Sequence, residues 1–183
     1  LTWTFRLRAG ERWSNGDPLT AHDFVFSFQR LLSPALGASL SYMFWPVRGA
    51  EAFNTGKLTD FAAVGVSAPD DRTLRLELAH PVPHLAALAA HSSWLPVHRP
   101  TLEKFDSVTK RGGAWTRPGN HVGNGPFALA EWRPNARLMV ARNPRHRDAA
   151  ANRLERVVFL PMEKAEVEEL SFRAGQMHLT FAV

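Results

Sequence analysis

The chain has 183 residues, enough for one ordinary domain or two small ones with a real buried core. Hydrophobic residues at 45% and charged residues at 21% place it in the globular range and exclude extended disorder. Without cysteine there is no disulfide, thiolate metal site or cysteine nucleophile. Net charge is +5, carried mostly by singly spaced arginines and not by a dense basic run, so a solvated surface is favoured over a nucleic-acid footprint.

Residues 1–8 alternate, with Leu1, Trp3, Phe5 and Leu7 on one face and Thr2, Thr4, Arg6 and Arg8 on the other, which predicts a half-buried strand. A turn-rich segment follows, Trp13-Ser14-Asn15-Gly16-Asp17-Pro18. Thr20 with Asp23 three residues later resembles a capping box opening a helix. That helix puts Phe24, Phe28, Leu31 and Leu32 on one stripe and stops at Pro34. Tyr42, Phe44 and Trp45 cluster in an irregular stretch before Pro46. Such rings either line a ligand cleft or plug a small core, and composition favours the core.

A short helix is expected from Ala50 to Asn54. A hairpin then runs from Val64 through a turn at Pro69-Asp70-Asp71 into Thr73–Leu78, where leucines alternate with polar residues. Leu85 to Ala90 reads as a short buried helix. Residues 101–122 read as helix followed by loop, with Gly112-Gly113, Pro118 and Gly119 marking a crossing between domains. A second hairpin brackets Arg133-Pro134-Asn135-Ala136. The chain then reads as a strand at 156–160, a helix at 163–174 ended by Gly175, and a strand from Gln176 to Phe181. Those last three elements would form a βαβ unit with a right-handed crossover. Both chain ends are abrupt and read as cuts, and no signal peptide or membrane-spanning run is present in the sequence.

His80 and His84 have helical i, i+4 spacing, but Pro81 and Pro83 lie between them, so the spacing carries no metal site. There is no HExxH and no G-x-S-x-G elbow. Gly123-Asn124-Gly125-Pro126 leads into Phe127 of a strand and not into a helix, unlike a phosphate cradle. Glu163, Glu166, Glu168 and Glu169 read as a solvated helix face. The chain is therefore expected to be no enzyme, with no cofactor and no metal.

Residues 1–32 carry Trp-Ser-Asn-Gly-Asp-Pro, Thr20-Ala21 and an acidic residue, Asp23, opening an aromatic-rich helix. Leu32-Ser33-Pro34, Asp70 to Leu78, His80-Pro81-Val82-Pro83, Asn124-Gly125-Pro126-Phe127 with Trp132, Arg142-Asn143-Pro144 and Arg173 to His178 follow. In this order the segments resemble the bacterial family 5 solute-binding proteins, the oligopeptide, dipeptide and nickel receptors of ABC importers. The likeness spans nearly the whole chain and is nearest the oligopeptide-binding branch.

The resemblance implies an α+β fold, a partial periplasmic-binding-protein-like lobe of type II with mixed sheet, hairpins and one βαβ unit. It implies that residues 1–104 are the small extra domain and 105–183 one segment of the main α/β domain, the second lobe being supplied by further chain. It implies a receptor that binds peptides for uptake, partnered by ABC permease subunits and not by nucleic acid. The receptor would be monomeric, periplasmic or extracellular, and membrane-associated only through an N-terminal anchor outside this sequence. Ligand contacts are expected from Tyr42, Phe44 and His91, with no catalytic or metal residues. The alternative is the same fold sensing a metabolite in a cytoplasmic transcriptional regulator.

Overall fold

The computed structural model describes residues 1–180. Two three-stranded antiparallel sheets organise the chain. The first has strand order β1-β3-β2, from β1 (Thr2–Arg6), β2 (Val66–Asp70) and β3 (Thr73–Glu77). The second has order β4-β5-β6, from β4 (Phe127–Arg133), β5 (Arg137–Arg142) and β6 (Arg156–Phe159).

The register of the first sheet follows from its alternation. Trp3 pairs with Leu76 and Phe5 with Leu74, so apolar side chains of both strands share one face. Leu74, Leu76 and Leu78 are buried, whereas Trp3 is 36% exposed. β1 is thus the thinly covered edge and β3 the buried centre. At the other edge, Gly65 exchanges backbone bonds with Arg48 and Glu77. A Cβ there would stand 2.6 Å from the Glu77 carbonyl, so only glycine lets the chain approach this closely.

Helix α1 (Ala21–Leu32) lies across β2 and β3. Its start is fixed by Asp23, whose carboxylate accepts the Thr20 N–H at 2.8 Å and the Thr20 hydroxyl at 3.2 Å. Phe28 and Leu32 are fully buried on its inner stripe, and Phe24 packs at its margin. Phe28 meets Phe44 at 4.6 Å and Trp94 at 5.4 Å between ring centroids, and Phe44 stacks on Trp94 at 4.6 Å. These three rings are the centre of the core, enclosed further by Val47, Phe53, Phe61, Val64 and Leu85. Short helices α2 (Ala50–Asn54), α3 (Leu85–Ala89) and α4 (Arg99–Lys104) complete this half. Of α3, only Leu85 is buried, so that helix is less enclosed than its composition suggests.

The second half is built differently. Every buried apolar side chain of the described residues lies between Trp13 and Leu102, and beyond Lys104 only the polar Ser107 and Asn143 are buried. Trp132, Val158 and Phe159 of the second sheet, Leu160 just after it, and Val167, Leu170 and Phe172 of helix α5 (Ala165–Arg173) all face solvent. The hairpin turn between β4 and β5 places Asn135 at φ +59°, a left-handed position that asparagine tolerates.

The α+β class, both hairpins and the helices at 21–32 and 50–54 match the expectations. A mixed sheet and a full βαβ unit would need a strand parallel to β6. Gln176–Thr180 is not a strand, and Phe181 lies outside the described residues. Among the described residues β6 keeps its outer edge unpaired, and neither it nor α5 buries an apolar face that would hold a parallel strand in place.

A pinned aromatic turn, a groove and a seam

Tyr42 and Phe44 lie on the 3₁₀ turn Ser41–Phe44, and their side chains go to opposite environments. Tyr42 is 56% exposed while Phe44 is 0% exposed. Phe44 is therefore a packing residue: its ring is spent on Phe28 and Trp94 and presents no surface to a ligand. The turn is held by Asn54 of α2, whose Oδ1 accepts from the Ser41 hydroxyl (3.0 Å) and the Trp45 indole (3.2 Å). Its Nδ2 donates to the Leu32 carbonyl at the end of α1 (3.0 Å). Tyr42 thus projects from a backbone fixed at both sides.

His91 is half-buried and caps the 3₁₀ turn Ser92–Trp94. Its Nδ1 accepts the Ser93 N–H at 3.2 Å and lies 2.9 Å from the Ser93 hydroxyl. That hydroxyl reaches Met43 Sδ at 3.7 Å, so Ser93 ties the turn carrying His91 to the turn carrying Tyr42. Neither Asn54 nor Ser93 carries a sequence signal that would have marked it. Both act at long separation along the chain.

Beside these turns lies an open groove of ≈ 410 Å³ between the end of α1, the 36–40 loop, Ser92-Ser93 and the 111–112 loop. Arg30 and Arg111 stand in its wall with Leu31, Leu36 and Leu40. Burial pushes the Arg30 guanidinium below its ordinary value.

The recurring short motifs gather elsewhere, at a seam between the two halves. Within the 13–18 turn, Trp13 N–H donates to the Asp17 carbonyl (2.9 Å) and Gly16 N–H to the Trp13 carbonyl (2.9 Å). Ser14 N–H donates to the Gly123 carbonyl (2.8 Å), and the Arg145 guanidinium to the Ser14 carbonyl (2.9 Å). Asn143 is 1% exposed; its Nδ2 donates to the Gly125 carbonyl (2.9 Å) and its Oδ1 accepts the Arg145 N–H (3.0 Å). The three motifs at 13–18, 123–127 and 142–144 thus form one hydrogen-bonded joint.

Behind that joint Trp13 packs edge-on against His98 at 5.2 Å. His98 Nε2 lies 2.9 Å from the Asp17 carboxylate, an acceptor only, so Nε2 carries the proton. Nδ1 lies 2.7 Å from the Thr101 hydroxyl. The order Asp17–His98–Thr101 has the spacing of a catalytic relay, but Thr101 is buried, so no substrate reaches the hydroxyl. It is structural. His80 and His84 are exposed on the irregular strip before α3, and among the described residues no group of three His, Asp or Glu side chains could hold a metal ion.

Comparison with known proteins agrees with this architecture. Residues 1–183 match the family described as bacterial extracellular solute-binding proteins, family 5 Middle, and the chain belongs to that family. It is 37% identical to the periplasmic oligopeptide-binding protein OppA of Salmonella typhimurium over 98% of its own length, but over only 32% of the relative's. The solved OppA of Burkholderia pseudomallei superposes with TM-score 0.89 at 36% identity, covering 96% of this chain and 33% of that one. OppA of Haemophilus influenzae in complex with RPPGFSPFR superposes with TM-score 0.87, also at 36% identity, covering 96% of this chain and 33% of that one. The chain spans about a third of the length of the curated relatives it matches.

Proposed function

We propose that this chain is part of a peptide receptor of an ABC importer, acting in the periplasm and handing its cargo to permease subunits. The observation that carries the reading is the end-to-end likeness to oligopeptide-binding proteins, one of them solved with a bound nonapeptide. In this reading residues 1–104 are the small extra domain and 105–183 a segment of the main domain. The confinement of buried apolar side chains to 13–102 among the described residues supports that division. Binding requires the second lobe, because closure of such receptors is stabilised by contacts made only when both lobes meet the ligand.

Tyr42 and His91 are the contacts this segment contributes. Tyr42 supports the role by offering an exposed ring from a rigid turn, which costs little conformational entropy on binding. Nothing in the fold or in the relatives named above favours a transcriptional regulator. The test is thermal unfolding of the full-length protein against a pool of unblocked peptides of two to nine residues. Ligand that binds only the folded state must raise the midpoint. Tyr42→Ala should cut that affinity about tenfold. A pool that moves the midpoint nowhere would refute the peptide reading.

A further inference from the structure

We propose that the groove between the end of α1 and the 111–112 loop binds an organic carboxylate with an apolar substituent, held by Arg111 and Arg30. Four observations converge on it. First, two guanidiniums share one groove whose remaining wall mixes leucines (Leu31, Leu36, Leu40) with the serines Ser39, Ser92 and Ser93, and no acidic side chain lines it. The volume of ≈ 410 Å³ suits a small ligand, within the range of roughly 300–1,000 Å³ usual for such sites.

Second, the guanidiniums are positioned but not neutralised. Arg111 donates from Nε to the Leu36 carbonyl at 2.9 Å, and its two terminal nitrogens make no hydrogen bond among the described residues. Arg30 donates from Nη2 to the Ser107 and Lys110 carbonyls at 3.2 and 3.3 Å, which fixes the loop that carries Arg111. Neither arginine forms an ion pair among the described residues.

Third, Arg30 Nε is buried without a partner. A cation partly removed from water with no counter-charge is destabilised by desolvation, and an anion in the groove reverses that penalty. Fourth, Gly37 at φ +59° leaves the space that Arg111 fills: a Cβ there would stand 3.3 Å from Arg111 Nη2. The guanidinium fork then matches a carboxylate, and the leucines take the rest of the ligand.

The inference does not depend on the peptide reading. A carboxylate could come from a peptide's free end or from an unattached small acid, and the experiment separates the two. Titrate the full-length protein with N-acetylleucine and, in parallel, N-acetylleucinamide, following binding by NMR. The acid should bind at least tenfold more tightly than the amide, and Arg111→Gln should abolish the preference without altering the thermal midpoint. Arg111→Lys should restore it in part, because a point charge replaces the fork. Equal binding of acid and amide, no binding of either, or a preference that survives Arg111→Gln overturns the proposal. With the site established, displacement of N-acetylleucine by a peptide acid but not by the same peptide amide assigns the carboxylate to peptides. No displacement by either assigns it to free acids.

Discussion

Adjacent aromatic residues of one turn illustrate how little composition says about direction. Phe44 sits two positions from Tyr42, yet one ring is sealed in the core and the other faces water. Truncating Phe44 to Ala should cost about 3–5 kcal/mol, the usual loss for a buried aromatic ring. Tyr42→Ala should stay within about 0.5 kcal/mol of the parent. Urea midpoints of the two variants check this. Asn143 makes a comparable argument for a polar group. Replacing it by Ala leaves the partly buried Gly125 carbonyl and the Arg145 N–H without their partner. The expected loss is about 1–3 kcal/mol, read by the same denaturation. A result near zero would mean the joint rearranges around the gap.

At the scale of elements, alternation and punctuation were readable wherever a segment was regular. The 21–32 helix declares itself through Thr20, Asp23 and Pro34, and the 66–77 hairpin through its leucine alternation around Asp70-Asp71. The predicted strand after Gly175 was not found at 176–180, because periodicity reports what a segment could pair with, whereas neither β6 nor α5 buries an apolar face that would hold it against the free edge of β6. The groove was illegible for a different reason. Arg30 and Arg111 belong to elements far apart in the chain, and only the Ser107 and Lys110 carbonyls bring them to one wall.

The hairpins also carry the acid sensitivity of the fold. Arg48 hydrogen-bonds Glu77 and holds its carboxyl below the ordinary range, and Arg137 does the same for Glu131. A carboxyl whose folded value is depressed stabilises the fold above its unfolded value and loses that contribution as pH falls. The unfolding midpoint should therefore stay level from neutrality down to about pH 5 and decline below about pH 4.3. Glu77→Gln should make the decline shallower, though only slightly for so exposed a pair.

For the molecule as a whole, the uneven core predicts uneven autonomy. Among the described residues all the buried apolar side chains lie in 1–104, whereas the remainder has a sheet and a helix whose apolar side chains are half-buried or exposed. A 1–104 segment should unfold cooperatively in urea, while a 105–183 segment should show no such transition and should bind a hydrophobic dye. Cooperative unfolding of the second segment alone would contradict the proposed division.

The seam has a wider consequence. Its ties run through the carbonyls of Ser14, Gly123 and Gly125, fastened by Asn143 and Arg145. None of these groups borders the exposed tyrosine or the arginine groove. Side chains on those surfaces can therefore be exchanged without touching the backbone ties that join the halves.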